Sequence, residues 1–407
     1  MTQRWKTFLS LAMLASLVLP MVWQILSKAL PKGVASWEIA EWLISYDAGL
    51  IRRGLSGQLI ETISLGTGVA PSVIAVLLSL LIFLLLVGLV LRLFRESIPV
   101  YVLFSPLLLG APVFSNFLIR KDTFTVLAFA VSFLMLASAR PLLLRMLVAN
   151  ALSIVAILFH EAYVFAALPL LILHVSKGGG LIVRLKQGVP FFLPAIATAG
   201  LVLFQKGTAA QAVQITERWN EVYRAVAPAY CCYDSPPTAI DAIGWSFQRG
   251  LGAAANILDD FSGPFYIPLM WVLTLLLAGL AIAFFKRETR EGSRQVFLNF
   301  FLMQTVFVSP LFVLGLDTGR WIFMISATSF VAVSAWERRG SGIAPWMPFR
   351  ELVRYVRCLP QRILPIHGLL FFILAVPGCC WSMRIYALRT PLGANYSALK
   401  SLLAYVF

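Results

Sequence analysis

The fold is decided by a long apolar run, Ala70–Phe94, which reads APSVIAVLLSLLIFLLLVGLVLRLF and holds a single charged residue, Arg92. A helix of about 20 apolar residues is long enough to cross the hydrocarbon core of a bilayer. The run is continuous rather than alternating in polarity, so it is typical of a membrane helix and not of a β-barrel strand. Similar runs recur along most of the chain, and they predict an all-α, polytopic membrane protein.

The composition of the whole chain agrees with this prediction. Its 407 residues are 60% hydrophobic and only 13% charged, which excludes an ordinary soluble domain. The formal net charge is +15, from 33 Lys and Arg against 18 Asp and Glu. These basic residues lie mostly in short loops between apolar runs, where they orient the helices in the membrane. Membrane lipids, and not nucleic acid, are therefore the expected partners.

We predict about eleven spans within a single transmembrane domain, residues 1–407. The stretch 143–176 is also compatible with one kinked helix and a re-entrant piece. The predicted spans are 8–30, 70–94, 98–117, 122–139, 143–159, 162–176, 188–205, 264–285, 295–315, 320–336 and 364–382.

Two longer segments interrupt the spans. The first outer loop, 31–69, contains Trp37–Ile44, whose spacing of apolar residues predicts a short interfacial helix. The large outer loop, 206–263, contains the helix-like segment Gln211–Val226. The first apolar run is too long for a signal peptide, so we expect a retained helix. The basic inner loops predict a cytoplasmic N-terminus and a periplasmic C-terminus in a bacterial inner membrane.

A first charged motif, Tyr46–Gly54, lies in the first outer loop and contains Asp47, Arg52 and Arg53. Charges this close to lipid are costly and are usually kept for a reason. One interpretation is an interfacial loop whose arginines bind lipid headgroups. The other is a site in which the two arginines hold a lipid-linked phosphate near a catalytic base, Asp47.

A second motif, Asn116–Asp122, places Arg120 and Lys121 in a predicted outer turn. Asp122 at the start of the next helix suits the free backbone N–H groups there. The motif is thus a helix cap, a phosphate-binding turn, or both.

A third motif, Phe159–Tyr163, places His160 and Glu161 inside an otherwise apolar stretch. One interpretation is a helix break whose side chains satisfy freed backbone groups. The others are a general base, a metal ligand, or a hydrogen-bonding pair for a sugar or phosphate. The pair is not an HExxH zinc motif, because position 164 is Val.

A fourth motif, Gly315–Trp321, contains Asp317, Arg320 and Trp321. It is compatible with an Asp cap and a snorkelling Arg. Alternatively, Arg320 binds phosphate and Trp321 provides a stacking surface for a sugar ring. All four motifs fall on the predicted outer side, so we expect them to line one polar cleft.

This arrangement resembles integral-membrane glycosyltransferases of the GT-C fold and bacterial O-antigen or exopolysaccharide polymerases. The resemblance to GT-C enzymes implies a base in the first outer loop, for which Asp47 qualifies and Glu38 and Glu41 are rivals. The resemblance to the polymerases implies arginines at the outer face. The chain departs from these enzymes in having no DxD motif. The arginines that qualify are Arg52, Arg53, Arg120 and Arg320.

The expected function is therefore sugar transfer from a polyprenyl-linked donor, with Asp47, His160 or Glu161 as the base. No cofactor is expected, although a divalent metal is compatible with the site, and other envelope-assembly proteins are compatible partners. A lipid or glycan transporter and a non-catalytic assembly subunit are the alternatives. The absence of an internal sequence repeat and the position of the charges at helix ends favour transfer over transport.

The cysteines carry a separate prediction. Cys231 and Cys232 fall in the large outer loop, and Cys379 and Cys380 near the outer end of the last predicted span. Thiols in an oxidising compartment tend to pair, and adjacent cysteines rarely bond to each other. We therefore expect a loop-to-helix bridge, unless Cys379 and Cys380 pack as small apolar residues.

Overall fold

The computed structural model describes most of the chain, and all the regular structure in that part is helical. This confirms the predicted all-α class. The described residues are 3–29, 36–94, 98–176, 180–246, 248–250, 293–314, 317–338, 347–353, 365–376 and 389–406, with the single positions 252, 272 and 278.

The α-helices are numbered here in chain order. They are α1 Gln3–Ala29, α2 Trp37–Trp42, α3 Gly54–Thr67, α4 Pro71–Phe94, α5 Val100–Leu103, α6 Ala111–Phe114, α7 Asp122–Leu136, α8 Leu142–Phe159, α9 Tyr163–Ala166, α10 Leu168–Val175, α11 Leu181–Gly188, α12 Leu193–Phe204, α13 Ala209–Val226, α14 Thr238–Asp241, α15 Ser293–Leu314, α16 Thr318–Arg338, α17 Arg350–Val353, α18 Pro365–Ile373 and α19 Pro391–Val406.

Five helical segments of the described part are long and apolar enough to cross a membrane. Each coincides with a predicted span, and two shorter apolar segments, Asp122–Leu136 and Tyr163–Val175, coincide with two more. The full number of about eleven spans stays a prediction, and most of the predicted span 264–285 lies outside the described residues. The five segments are Gln3–Ala29, Pro71–Phe94, Leu142–Phe159, Leu181–Phe204 and Arg294–Phe312.

The predicted span 98–117 is not one helix. It forms two four-residue helices, α5 and α6, joined by turns. Proline lacks a backbone N–H and disfavours helical geometry in the residue before it, and Pro106 stands between the two helices. The turn is also tight at Gly110, where an added Cβ would lie 2.1 Å from the carbonyl oxygen of Phe104.

The chain divides into two compact units. The first, which we call the site unit, comprises Gln24–Leu85 and Leu118–Ala253. In it α8 packs against α3, α7 and α12, while α13 packs against α3 and α14. The second unit comprises Met1–Trp23, Leu86–Phe117 and Ala254–Phe407. Among its described helices, α15 packs against α16, and the buried Gln304 amide donates a hydrogen bond to the Thr328 hydroxyl.

Two helices predicted within the segments 31–69 and 206–263 are present. Helix α2 falls within Trp37–Ile44, and its Trp42 is buried and donates a hydrogen bond to the Ile119 carbonyl. Helix α13 begins two residues before the predicted Gln211. It begins there because Thr208 and Gln211 form a capping box that satisfies its first free N–H groups.

Candidate functional site

Three of the four charged motifs meet inside the site unit. The loop before α3 supplies Arg52 and Arg53, the turn before α7 supplies Arg120, and the break after α8 supplies His160 and Glu161. With Glu41 from α2, these residues form what we call the charge cluster. Helix packing brings these segments together although they are far apart in the sequence.

Glu41 lies at the centre of this cluster and is fully buried. Its Oε1 is 3.5 Å from Nη1 of Arg53 and 3.4 Å from Nε2 of His160. Its Oε2 is 3.4 Å from Nη1 of Arg120. Sequence reasoning named Glu41 only as a rival to Asp47. The available signal was its position between two apolar residues, Ala40 and Trp42, in the predicted interfacial helix. A carboxylate among such residues requires partners.

Glu161 is held by a two-pronged contact with Arg53. The Nε of Arg53 donates to Oε2 at 2.6 Å, and its second terminal nitrogen donates to Oε1. Burial alone would raise the pKa of Glu161, but the charge of Arg53 and the adjacent His160 hold it well below its usual range. Glu161 is therefore an ionised anchor for the arginine, and such a carboxylate is a weak base.

The backbone at Arg53 is adapted to this role. Its φ is +67°, in the left-handed region, at the residue that precedes α3. Such a conformation costs a residue with a side chain on the order of 1–3 kcal/mol and is often found at functional sites. The next residue must be small, since a Cβ at Gly54 would lie 2.3 Å from the Tyr46 ring. The turn thus directs Arg53 toward Glu41 and Glu161.

His160 ends α8 and lies between two carboxylates. Its backbone is extended, and its Nδ1 accepts a hydrogen bond of 3.2 Å from the N–H of Ala162. The same nitrogen lies 3.6 Å from Oε2 of Glu161, while Nε2 faces Glu41. The bond to Ala162 is the helix-break role that one interpretation predicted. The contacts with Glu161 and Glu41 also place the imidazole in the charge cluster.

Arg120 and Lys121 are both buried at the start of α7. Besides its pair with Glu41, the guanidinium of Arg120 lies 6.0 Å from the ring centre of Trp37. The Nζ of Lys121 donates to the Arg53 carbonyl at 3.5 Å and lies 5.7 Å from the ring centre of Trp42. Lys121 therefore supports the left-handed turn. Asp122 begins α7, where its negative charge suits the positive end of the helix.

Arg52 is the most exposed cation of this group. Its side chain is 31% exposed and lies 3.9 Å from Oε1 of Glu161. Within the part of the chain that the structure describes, its Nε has no hydrogen-bond partner. Guanidinium groups bind phosphate oxygens through paired N–H donors. Arg52 is therefore the point of the charge cluster best suited to receive an anion.

Asp47 lies on the same loop but has different neighbours. It is half-buried, and its carboxylate accepts a hydrogen bond from the Ser45 hydroxyl. Its charge also acts on Glu61 of α3, whose carboxylate is bound by Arg218 of α13. The sequence analysis did not identify Glu61 and Arg218 as candidate site residues, because neither lies in any of the four charged motifs.

The fourth motif belongs to the second unit. There Arg320 is buried, donates to the Asp317 carboxylate and lies 5.2 Å from the ring centre of Trp321, which is also buried. Asp317 and Arg320 thus form an ion pair at the start of α16. The roles of Asp317, Arg320 and Trp321 in substrate binding stay predictions. Among the residues described, no group of three or more His, Cys, Asp or Glu side chains is arranged to hold a metal ion.

The predicted disulfide from the loop to the last span is wrong, because Cys231 and Cys232 are bonded to each other. The chain beside them is fixed to α13. The Asn220 amide donates to the Tyr233 carbonyl at 2.9 Å, and its oxygen accepts from the Tyr233 N–H at 2.7 Å. The prediction relied on the general rarity of bonds between adjacent cysteines, and Cys231 and Cys232 are an exception to it. Cys379 and Cys380 lie outside the described residues.

Comparisons with known proteins found no matching family model, no matching curated protein and no matching solved structure.

Proposed function

We propose that this protein is a membrane glycosyltransferase or glycan polymerase that uses a polyprenyl-phosphate-linked sugar donor at the periplasmic face of a bacterial inner membrane. The observation that carries the proposal is the charge cluster. It gathers arginines and carboxylates from three distant segments beside apolar helices. Buried charges of this kind are expensive, and in membrane proteins they usually mark a functional site.

The phosphate side of the proposal rests on the arginines. Arg53 and Arg120 are held by Glu41 and Glu161, so their positions are fixed before any ligand arrives. Arg52 stands at the more exposed edge of the same group. In the proposed reaction these guanidinium groups stabilise negative charge on the departing phosphate. Charges that are already in place cost little reorganisation during a reaction.

The base in this proposal is Asp47. Glu161 is bound by Arg53 and kept ionised, so it accepts a proton poorly. His160 is engaged by Ala162 and lies against Glu41. Asp47 is more accessible than either of these residues. A half-buried carboxylate is suited to general-base catalysis on an acceptor hydroxyl.

The reaction has a simple balance. Asp47 takes the proton of the acceptor hydroxyl as its oxygen attacks the anomeric carbon of the donor. The bond between that carbon and the phosphate oxygen breaks, and its electron pair leaves with the lipid phosphate. The arginines stabilise this anion, and the new glycosidic bond remains on the acceptor.

The test is an assay of the purified full chain in vesicles with a radiolabelled polyprenyl-linked sugar. New glycosidic bonds, scored by chromatography of the released glycan, are the expected result. Label that crosses the bilayer without a new bond would instead establish the alternative, a lipid or glycan transporter. A matched vesicle preparation of Asp47→Asn protein controls for contaminating transferases.

A further inference from the structure

A second group of polar side chains lies close to the Asp47 loop, outside the charge cluster, and Glu61 is its buried member. Glu61 lies in the middle of α3 and is only 4% exposed. Its Oε1 lies 2.7 Å from Nε and 2.6 Å from Nη2 of Arg218 on α13. Its Oε2 is buried and has no hydrogen-bond partner within the described residues. A buried carboxylate oxygen without a donor is costly, so this atom requires an explanation.

Helix α13 fixes the Asp47 loop against α3. Gln214 donates to the Asp47 carbonyl at 3.3 Å, and Gln211 donates to the Ala48 carbonyl at 2.9 Å. The indole of Trp219 donates to the Leu43 carbonyl. Gln211, Gln214 and Arg218 share one face of α13, since they are spaced three and four residues apart. The same helix therefore holds both the Asp47 backbone and the Glu61 carboxylate.

The charge of Asp47 acts on Glu61. Burial raises the pKa of Glu61, Arg218 lowers it, and the charge of Asp47 raises it again, so the pKa of Glu61 stays above its usual range. Two ionised carboxylates can only accept hydrogen bonds, so they cannot bond to each other. A proton on one of them supplies the missing donor. The other charged groups on the helices packed against α3 are Glu38 and Glu41 on α2, Arg145 on α8, and Glu217, Glu221 and Arg224 on α13.

We propose that Glu61 keeps a proton and donates it in a hydrogen bond to the Asp47 carboxylate. This inference rests on the proposed function, in which Asp47 is the base, and it makes Glu61 a positioning residue. With one proton between them, the two carboxylates carry a single negative charge. Arg218 binds Oε1 of Glu61, so the proton lies on the other oxygen, Oε2. A divalent cation between the two carboxylates is the competing occupant of this position, and Arg218 disfavours it by charge.

Infrared spectroscopy of the purified full chain in lipid nanodiscs tests this proposal without any activity. The expected result is a carbonyl stretch of a protonated carboxylic acid that persists well above pH 4.3, the approximate pKa of an ordinary Glu. Glu61→Gln removes this band. Glu221→Gln retains it, because Glu221 binds the same arginine but is 61% exposed. A band that survives Glu61→Gln, or one that appears only after a chelator is added, would overturn the proposal.

Asp47→Asn covers the case in which Glu61→Gln protein fails to accumulate. It removes the negative partner, so the Glu61 band should disappear at a lower pH than in the unmodified protein. An unchanged titration would contradict the shared proton. The sign follows from the charge of Asp47, which favours the protonated form of Glu61.

Transfer activity gives a second and separable readout. The unmodified protein should lose turnover as rising pH removes the Glu61 proton, whereas Glu61→Gln, whose amide still donates, should lack this alkaline limb. Glu61→Ala should lower turnover about 10- to 100-fold, the effect of one hydrogen bond to a charged group. An infrared band without any transfer would refute the proposed function alone. Asp47-dependent transfer without the band would refute only the proton sharing.

Discussion

The imidazole Nε2 of His160 lies 3.4 Å from Oε1 of Glu41, and the same carboxylate faces Arg53 and Arg120. One fully buried side chain from α2 thus contacts all three charged motifs of the charge cluster. The free energy of unfolding depends strongly on this arrangement. Removing one member of a buried ion pair leaves its partner without compensation, which is far more costly than the pair itself is stabilising.

Glu41→Gln should therefore destabilise the protein by about 3–5 kcal/mol, the usual cost of breaking a buried ion pair. The amide preserves the shape of the side chain but removes the negative charge that faces Arg53 and Arg120. Thermal unfolding in detergent measures the change. Glu221→Gln is the matched control, because it breaks an exposed pair with Arg218 and should cost about 1 kcal/mol or less. Equal melting temperatures for the two variants would contradict the central role of Glu41.

Arg53→Lys should reduce both stability and transfer, because Lys cannot make the two parallel bonds to Glu161. The substitution leaves the cost of the left-handed backbone unchanged, so any loss reports on the side chain. Arg52→Lys is the informative companion, since Arg52 makes only a 3.9 Å contact with Glu161. It should preserve the melting temperature and lower transfer. If the Arg52→Lys protein transfers sugar as fast as the unmodified protein, the site attracts phosphate through its positive charge alone. Paired N–H donors from a guanidinium would then not be required.

Asp47→Asn should abolish transfer while the protein inserts and accumulates normally, since the amide cannot accept the acceptor proton. Loss of a general base typically lowers turnover about 10²- to 10⁴-fold. Turnover in vesicles, normalised to the amount of inserted protein, measures the effect. Retained turnover would remove Asp47 as the base and shift the role to His160 or Glu161.

Glu161 gives a prediction with a defined sign in pH. Its pKa is lower in the folded protein than in the unfolded chain, so its ion pair stabilises the fold above about pH 4.3. This contribution is lost as pH falls below that value through the folded pKa. The melting temperature of the unmodified protein should therefore fall toward that of Glu161→Gln in acid. Exposed Glu217→Gln should show no such convergence. A constant difference between Glu161→Gln and the unmodified protein at all pH values would contradict the ion-pair account.

The predicted orientation can be tested by cysteine labelling. Asp47, His160 and Asp317 are all expected on the periplasmic side, but His160 is too buried to label. Leu50→Cys and Lys206→Cys, in a background with the native cysteines replaced by Ser, provide exposed reporters of the two outer loops. Both should react in intact cells with a reagent that does not cross the membrane. Arg140→Cys, in a predicted inner loop, should react only after permeabilisation, and the reverse pattern would invert the topology.

Several helices follow from the sequence because their signals are local. The continuous apolar run of α4 satisfies its backbone groups internally and buries apolar surface in any membrane context. The break at His160 follows from two polar residues inside an apolar stretch, and α13 begins where Thr208 and Gln211 form a capping box. Even a local signal failed within 98–117, where apolar composition predicted a span and the turns around Pro106 and Gly110 interrupt it.

The partners of the charged residues were decided only by the tertiary structure. The sequence marked Arg53, Arg120 and His160 as unusual, but nothing in their spacing places all three around Glu41. Ion pairs between distant segments depend on how helices pack and on the left-handed turn at Arg53, neither of which a local pattern specifies. The same holds for Glu61, an ordinary helical residue in the sequence. Its environment is set by Arg218 and Asp47, which only the packing of α13 brings to it.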